Sequence, residues 1–239
     1  MAAALLAMAP SAQAQGTREA RVRVALRGAF ATRAGAFTEA RPFTEFAERG
    51  EIDSRYTQGS GPGGEAGLTW LLARRLGIVA AAAFAQRREA GAFSAALPHP
   101  LYFGMPRHAE GDFRGKSERE TAVHLDLAVL GAAGRLDWSL FAGPSLVGVR
   151  ADLVSAVEYT QAYPYDRVTV TGAPLVSARG RGLGANAGAA LDWRAARRVA
   201  LGVQARFCRA RARLRPLAED EVDVRAGGLA LAAGLRIDF

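Results

Sequence analysis

The sequence has a single cysteine, Cys208, among 239 residues, and a single lysine, Lys116. One cysteine excludes an intramolecular disulfide framework and a cysteine-based zinc site. Apolar residues make up 50% of the chain, but no run after the N-terminal segment approaches the roughly 18 apolar residues that a membrane-spanning helix needs. The sequence therefore excludes a disulfide-rich domain and a helical membrane protein.

The charge is positive and is carried almost entirely by arginine. Thirty-one basic residues stand against 23 acidic ones, which gives a net charge of +8. With half of the residues apolar, the chain is unlike a disordered tail protein. The positive charge alone is compatible with nucleic acid, with anionic lipid and with plain solubility.

The N-terminal segment resembles an export signal. Residues 2–10 are mostly apolar, and Ala12 and Ala14 form the A-x-A pattern that signal peptidase accepts. We therefore predict a signal peptide over residues 1–14 and one mature domain over residues 15–239. The basic start of such a signal is absent, because the first cationic residue is Arg18, and this leaves the true start of translation open.

The C-terminal segment alternates strictly between two kinds of residue. In residues 225–239, one face holds large apolar residues and the other holds small or polar ones, as in a long β-strand. The same period of two recurs upstream, and a helix would mix the two sets. The eight alternating segments are residues 21–30, 65–72, 78–84, 123–129, 136–143, 182–193, 199–210 and 225–239.

The connections between these segments alternate in length. The short ones lie near residues 73–75, 131–134 and 194–197, and the long ones span about 31–63, 90–116, 150–180 and 213–220. Outer-membrane barrels show this asymmetry between periplasmic turns and extracellular loops. The pattern predicts an all-β protein: an eight-stranded antiparallel up-and-down transmembrane β-barrel with short periplasmic turns and long extracellular loops.

Two positions test this interpretation. Residues 37–55, inside the first long connection, are expected to form loop or a short helix. Pro144 lies inside a predicted strand of a closed barrel, which has no edge to tolerate it, so we expect a bulge or an early strand end at Gly143-Pro144.

The three tryptophans, Trp70, Trp138 and Trp193, all lie beside the three short turns and on the apolar face. Indole rings favour the level of the lipid headgroups. We therefore expect these residues to mark the periplasmic membrane interface, with the Leu/Val/Trp face toward lipid.

The second face of the strands places basic and acidic residues in the same interior. An eight-stranded barrel is only wide enough for side chains, so this set is expected to form a salt-bridged plug, and a narrow pore is the alternative. The predicted lumen residues are Arg21, Arg23, Arg27, Glu65, Asp126, Asp137, Asn186, Asp192, Gln204, Arg206, Arg236 and Asp238.

The last eight residues carry the most specific motif. Gly234, Ile237 and the terminal Phe239 resemble the C-terminal β-signal that the barrel assembly machinery recognises, although Ala232 replaces the usual polar first residue. In layout the chain resembles the small eight-stranded barrels of OmpA-like and OmpX-like outer-membrane proteins. The resemblance implies biogenesis by that machinery and carries no catalytic residues.

Other chemistry is weakly supported. Residues 182–187 fit a G-x-G-x-x-A pattern, but they lie inside a strand, where a dinucleotide site needs a strand-to-helix turn. His99 and His108 lie in a long loop without carboxylates at ligand spacing. We expect no enzyme activity, cofactor or metal.

Two classes of function stay open. The first is a monomeric integral outer-membrane barrel with a structural or surface-interaction role, whose specificity lies in loops that carry Tyr159, Tyr163 and Tyr165. The second is a narrow pore for small solutes, or a soluble exported lipocalin-like binder. The expected partners are outer-membrane lipid, lipopolysaccharide and the assembly machinery, and not nucleic acid.

Overall fold

A computed structural model describes residues 21–32, 35–215 and 222–239. The predicted signal peptide lies outside the described residues. No helix in the described part of the chain is long and apolar enough to cross a membrane. The strands are β1 (Val22–Ala31), β2 (Ala36–Glu45), β3 (Glu48–Gln58), β4 (Gly61–Ala73), β5 (Leu76–Leu97), β6 (Arg107–Ala133), β7 (Leu136–Val154), β8 (Glu158–Gln161), β9 (Val168–Gly172), β10 (Leu175–Arg194), β11 (Val199–Arg215) and β12 (Val222–Asp238).

Eight of these strands close into a ring of antiparallel neighbours. Its order is β1, β4, β5, β6, β7, β10, β11 and β12, and β12 pairs back to β1. The closing register runs from Arg23 opposite Asp238 to Ala31 opposite Ala230. The predicted eight-stranded antiparallel barrel is confirmed.

With the short turns placed at the bottom, the lower part of the barrel has an apolar outer face and a polar inner face. On β6, the side chain of Leu127 is 71% exposed on the outer surface, whereas the adjacent residue Asp126 faces the interior and is 1% exposed. A soluble barrel has the opposite arrangement, because its large apolar side chains fill the interior. The outer face of the lower barrel is therefore suited to contact with hydrocarbon.

The upper part of the barrel reverses this arrangement. β5, β6 and β10 have 22, 27 and 20 residues, whereas about 9–11 residues of a tilted strand cross a bilayer. Above the apolar band the interior becomes an apolar core that includes Tyr56, Leu153 and Leu214. The barrel therefore has a membrane storey and an upper storey packed like a water-soluble protein.

The segment 37–55 is a β-hairpin, so the expectation of loop or a short helix was wrong. β2 and β3 pair from Ala36 opposite Thr57 to Glu45 opposite Glu48. On β3 alternate residues from Gly50 to Gln58 are buried, which a helix would not allow. β3 then pairs with the upper part of β5, above the stretch that β4 occupies.

Pro144 neither bulges nor ends its strand, contrary to expectation. β7 continues to Val154, and the pairs His124 opposite Ser145 and Leu127 opposite Ala142 keep one register on both sides of Pro144. Only the pairing between these two points is interrupted. The Asn186 side chain donates to the carbonyl of Gly143 at 3.1 Å, which satisfies a backbone group beside the proline.

Candidate functional site

Arg206 forms the centre of the lumen plug. From β11 its guanidinium reaches Glu65 on β4, with Nε to Oε2 and Nη2 to Oε1 both at 3.1 Å. Nη1 also lies 2.7 Å from Asp126 Oδ2 on β6. The Phe141 ring on β7 packs against the same group, with 4.4 Å between the guanidinium carbon and the ring centroid. One side chain thus joins strands on opposite sides of the barrel.

Arg236 forms a second layer nearer the turns. Its Nη1 lies 2.9 Å from Asp192 Oδ2 and its Nε lies 2.9 Å from Asp238 Oδ1. A further ion pair joins it to Asp137. Arg23 lies 3.9 Å from Asp238 at the rim. These contacts lie just inside the end of the barrel that carries the short turns.

The two layers are connected by amide and guanidinium groups. Arg27 donates to Asp192 Oδ1 and to Gln204 Oε1, both at 2.9 Å. Gln204 in turn donates to Glu65 Oε1 at 2.8 Å. Asn186 donates to Asp126 Oδ1 at 2.7 Å. Each charged group in this plug is therefore held by partners on other strands.

A third layer lies at the base of the upper storey and was missed by sequence reasoning. Arg87 Nη1 lies 2.6 Å from Glu120 Oε2, and Arg87 Nη2 donates to the Gly227 carbonyl at 2.8 Å. Gly227 has a φ of 105°, and a Cβ there would lie 2.2 Å from the Cys208 carbonyl oxygen. The site therefore requires glycine.

Glu118 is buried just above this layer, and Gln58 donates to its Oε1 at 3.0 Å. Burial, opposed in part by Arg87 and reinforced by Glu120, raises the pKa of Glu118 to about 7. This carboxyl group therefore titrates near neutral pH.

The plug leaves only small gaps. Two lumen cavities, one between the Arg206 and Arg87 layers and one around Arg27 and Arg236, have volumes of about 50 and 40 Å³. Each has room for one water molecule or a few at most. The described side chains therefore fill most of the lumen between these layers.

Solved structures provide the comparison for this geometry, since no family model and no curated protein matches the chain. The outer membrane protein OprG from Pseudomonas aeruginosa superposes with a TM-score of 0.53 at 11% identity, over 92% of this chain and 97% of OprG. The chain has the fold of a small outer-membrane β-barrel. The outer membrane protein AlkL has a TM-score of 0.48 at 9% identity over 98% and 97%, and Neisserial surface protein A has 0.45 at 13% over 91% and 97%.

The three tryptophans predicted to mark the membrane interface lie on the outer surface of the barrel. Trp70, Trp138 and Trp193 are exposed near the periplasmic ends of β4, β7 and β10. Gly131 lies opposite Trp138 on β6, and a Cβ there would lie 2.3 Å from the indole ring. The absence of a side chain at Gly131 thus lets this ring lie flat along the barrel wall.

The predicted β-signal residues lie at the C-terminal end of the barrel wall, and the predicted lumen residue Arg21 lies at the rim. Gly234 and Ile237 lie near the end of β12 and Phe239 follows it directly, and Phe239 N donates to the Val22 carbonyl at 2.9 Å. Arg21 precedes β1 and is exposed at the periplasmic mouth, so it is not part of the buried network that was expected to contain it. Its position before the first paired residue explains the difference.

The loop between β5 and β6 at the top of the upper storey is anchored by hydrogen bonds. His99 is buried, and its Nδ1 accepts from the backbone N–H groups of Leu101 and Tyr102, both at 3.1 Å. Arg107 Nη2 donates to the Pro98 carbonyl at 2.7 Å, and Arg107 Nη1 to the Tyr165 carbonyl at 3.1 Å. These anchors fix both ends of the loop.

The β2–β3 hairpin contacts both this loop and β8. Glu48 in the β2–β3 hairpin accepts from Gly104 N. Tyr159 on β8 donates to Glu45 at 2.8 Å, and burial together with that carboxylate raises the pKa of the phenol. Tyr159 therefore packs between loops, whereas Tyr163 is exposed.

The tip of the fixed loop presents large apolar side chains to solvent. Phe103 is 83% exposed, and three neighbours are more than half exposed. Such a cluster of exposed apolar residues is typical of an interaction surface. We call it the loop tip, and its residues are Leu101, Tyr102, Phe103 and Met105.

The histidines give no sign of a metal site. His99 Nε2 lies 3.6 Å from Asp166, and His124 Nδ1 lies 2.8 Å from Ser145 Oγ inside the lumen. Among residues 21–32, 35–215 and 222–239, no three His, Cys, Asp or Glu side chains are grouped as metal ligands.

Proposed function

We propose that the mature chain is a monomeric, non-conducting barrel of the outer membrane that acts through surface contact at its extracellular loop tip. Export by the residue 1–14 signal and assembly through the C-terminal β-signal deliver it there. The observation that carries this proposal is the pairing of a plugged lumen with an anchored, exposed apolar loop.

The closed lumen favours a surface role over transport. Solute passage would require the Arg206 and Arg236 layers to separate, and each arginine is held by carboxylates from several strands. Breaking such buried pairs is costly. The exterior likewise disfavours a soluble lipocalin-like binder, because side chains such as Leu127 would be left in water.

The loop tip has the properties of a preformed contact surface. Its apolar side chains are exposed, while His99 and Arg107 already fix the backbone on either side. A preorganised loop loses little conformational entropy on binding. The favoured contact is thus with an apolar or aromatic surface outside the cell.

The test uses Phe103→Asn, with Phe46→Asn as the matched control. Phe46 is a half-exposed aromatic at the β2–β3 turn with a φ of 51°, which asparagine tolerates. Cells producing each variant are compared for partition into hexadecane droplets, at equal surface levels. We expect Phe103→Asn to lower partition and Phe46→Asn to leave it unchanged. Equal partition of all three strains would contradict the surface role.

A further inference from the structure

The outer face of the barrel carries a band of arginines at one level. The band extends over five consecutive ring strands, β6, β7, β10, β11 and β12, at the upper limit of their apolar outer surface. We call it the arginine belt, and its exposed members are Arg119, Arg150, Arg179, Arg181, Arg209, Arg211, Arg213 and Arg225.

The belt begins where the lipid-facing residues end. On β10 the outward position after Leu183 is Arg181, and on β11 the outward position after Phe207 is Arg209. Leu183 and Phe207 are both exposed on the apolar band. The guanidinium groups therefore lie at the height of the headgroups of the leaflet opposite the tryptophan turns.

The strand register sets these like charges directly against one another. Arg150 on β7 pairs with Arg119 on β6 and with Arg179 on β10, forming a row of three across neighbouring strands. Opposed side chains on neighbouring strands have Cβ atoms only about 5 Å apart, and like charges there are destabilising.

Two further opposed pairs continue the belt. They are Arg181 with Arg213 across β10 and β11, and Arg211 with Arg225 across β11 and β12. The register thus repeats the same repulsion across all four strand junctions from β6 to β12.

Carboxylates of the described residues compensate little of this charge. Asp223 lies 3.5 Å from Arg213 in an exposed pair, and half-buried Asp152 lies above Arg150 on β7. No ion pair within the described part of the chain involves Arg119, Arg179 or Arg181, nor Arg209, Arg211 or Arg225. A row of opposed arginines is stabilised by a ligand whose anionic groups bridge neighbouring strands.

We propose that the arginine belt binds the phosphate groups of the outer-leaflet glycolipid, the phosphorylated lipid A headgroup of lipopolysaccharide. Its acyl chains would lie along the apolar band below, and its phosphates would bridge guanidinium groups on adjacent strands. Guanidinium groups bind phosphate in bidentate fashion. The proposal rests on the outer-membrane placement proposed above.

The test uses the full mature chain folded in zwitterionic detergent. The belt variant carries Arg119→Gln, Arg150→Gln and Arg179→Gln, and the matched control carries Arg75→Gln, Arg135→Gln and Arg197→Gln at the exposed periplasmic turns. Both remove three positive charges. Folding of each is verified by heat-modifiable mobility, so that a failure of the barrel itself is distinguished from a failure of the belt.

Binding of bisphosphorylated lipid A is measured by native mass spectrometry, with fully dephosphorylated lipid A as the comparison. We expect the wild type and the periplasmic control to prefer the phosphorylated form, and the belt variant to bind it at least about tenfold more weakly, since one charge-assisted hydrogen bond accounts for roughly that factor. Equal binding by the belt variant, or an equal loss in the periplasmic control, would overturn the proposal.

Thermal unfolding gives a second readout. Without lipid A, the belt variant is expected to unfold at a higher temperature than the wild type, because the repulsion within the row of Arg119, Arg150 and Arg179 is gone. Added phosphorylated lipid A should then raise the unfolding temperature of the wild type by more than that of the belt variant. A belt variant that lipid A stabilises as much as the wild type would contradict the assignment.

Discussion

Arg206 and Glu65 form a two-point ion pair across the lumen, with both N–O distances at 3.1 Å. They lie on β11 and β4, which are separated by two strands in the ring. Asp126 approaches the same guanidinium from β6. The centre of the barrel is thus closed by charges that three separate strands bring together.

Removing Arg206 is expected to destabilise the barrel. Arg206→Met leaves Glu65 and Asp126 buried without their main cationic partner, which costs about 3 kcal/mol or more. Urea unfolding of the barrel in lipid vesicles measures the change. Arg197→Met, at an exposed turn, is the control and should unfold like the wild type. An Arg206→Met barrel with wild-type stability would show that the network is not structural.

The filled lumen also predicts that the barrel conducts no ions. The wild type should give no steady conductance in planar bilayers, because the described lumen cavities are about 50 and 40 Å³ and are separated by packed side chains. A variant combining Glu65→Ser, Asp192→Ser, Arg206→Ser and Arg236→Ser removes balanced charges from both layers, but it keeps the Arg87 layer and the apolar core above them, so it should also stay silent. Discrete conductance steps from the wild type would support the pore alternative.

The alternation of the sequence was sufficient to predict the membrane storey. There each strand has one face toward lipid and one toward polar neighbours, so the period of two is visible at residues such as Leu127 and Asp126. The same alternation predicts that Glu65 and Arg206 face the interior. It does not predict that they contact each other, because that depends on which strands face one another across the ring.

The alternation pattern did not predict the upper storey, and the reason is physical. Its inner face is apolar and its outer face polar, so the pattern reverses along the same strand, and the polar run from Gln86 to Glu89 looks like a loop. A register shift near Arg88 and Ala90 also changes which β6 residues point inward. Arg87 and Glu120 were missed because they lie beyond the ends of the predicted segments 78–84 and 123–129.

The buried carboxyl group of Glu118 predicts a pH dependence of stability. Its pKa is raised from a usual value near 4.5 to about 7, so between these values the folded barrel binds a proton that the unfolded chain releases. Stability should therefore decrease as pH rises from about 4.5 to 7, by roughly 3 kcal/mol at most.

Urea unfolding of Glu118→Gln across this pH range tests the assignment. The variant should lose that part of the slope and be the more stable protein at pH 8. Glu110→Gln, at an exposed position on the same strand, should keep the slope. A slope that persists unchanged in Glu118→Gln would assign the dependence to another group.

The C-terminal residue is expected to act in assembly. Phe239→Ala keeps the backbone pairing with Val22 but removes the terminal aromatic side chain of the proposed β-signal. We expect several-fold less heat-modifiable protein in the outer-membrane fraction, with export unchanged. Leu231→Ala removes an exposed apolar side chain from the same strand and should assemble normally. Equal levels of both variants would remove the argument for the signal.

Outer-membrane fractionation followed by gel electrophoresis with and without heating tests the central claim most directly. A closed barrel whose apolar face contacts lipid should be recovered with the outer membrane and should migrate at a different apparent mass before and after boiling. Recovery as a detergent-free monomer from the periplasm would contradict the account.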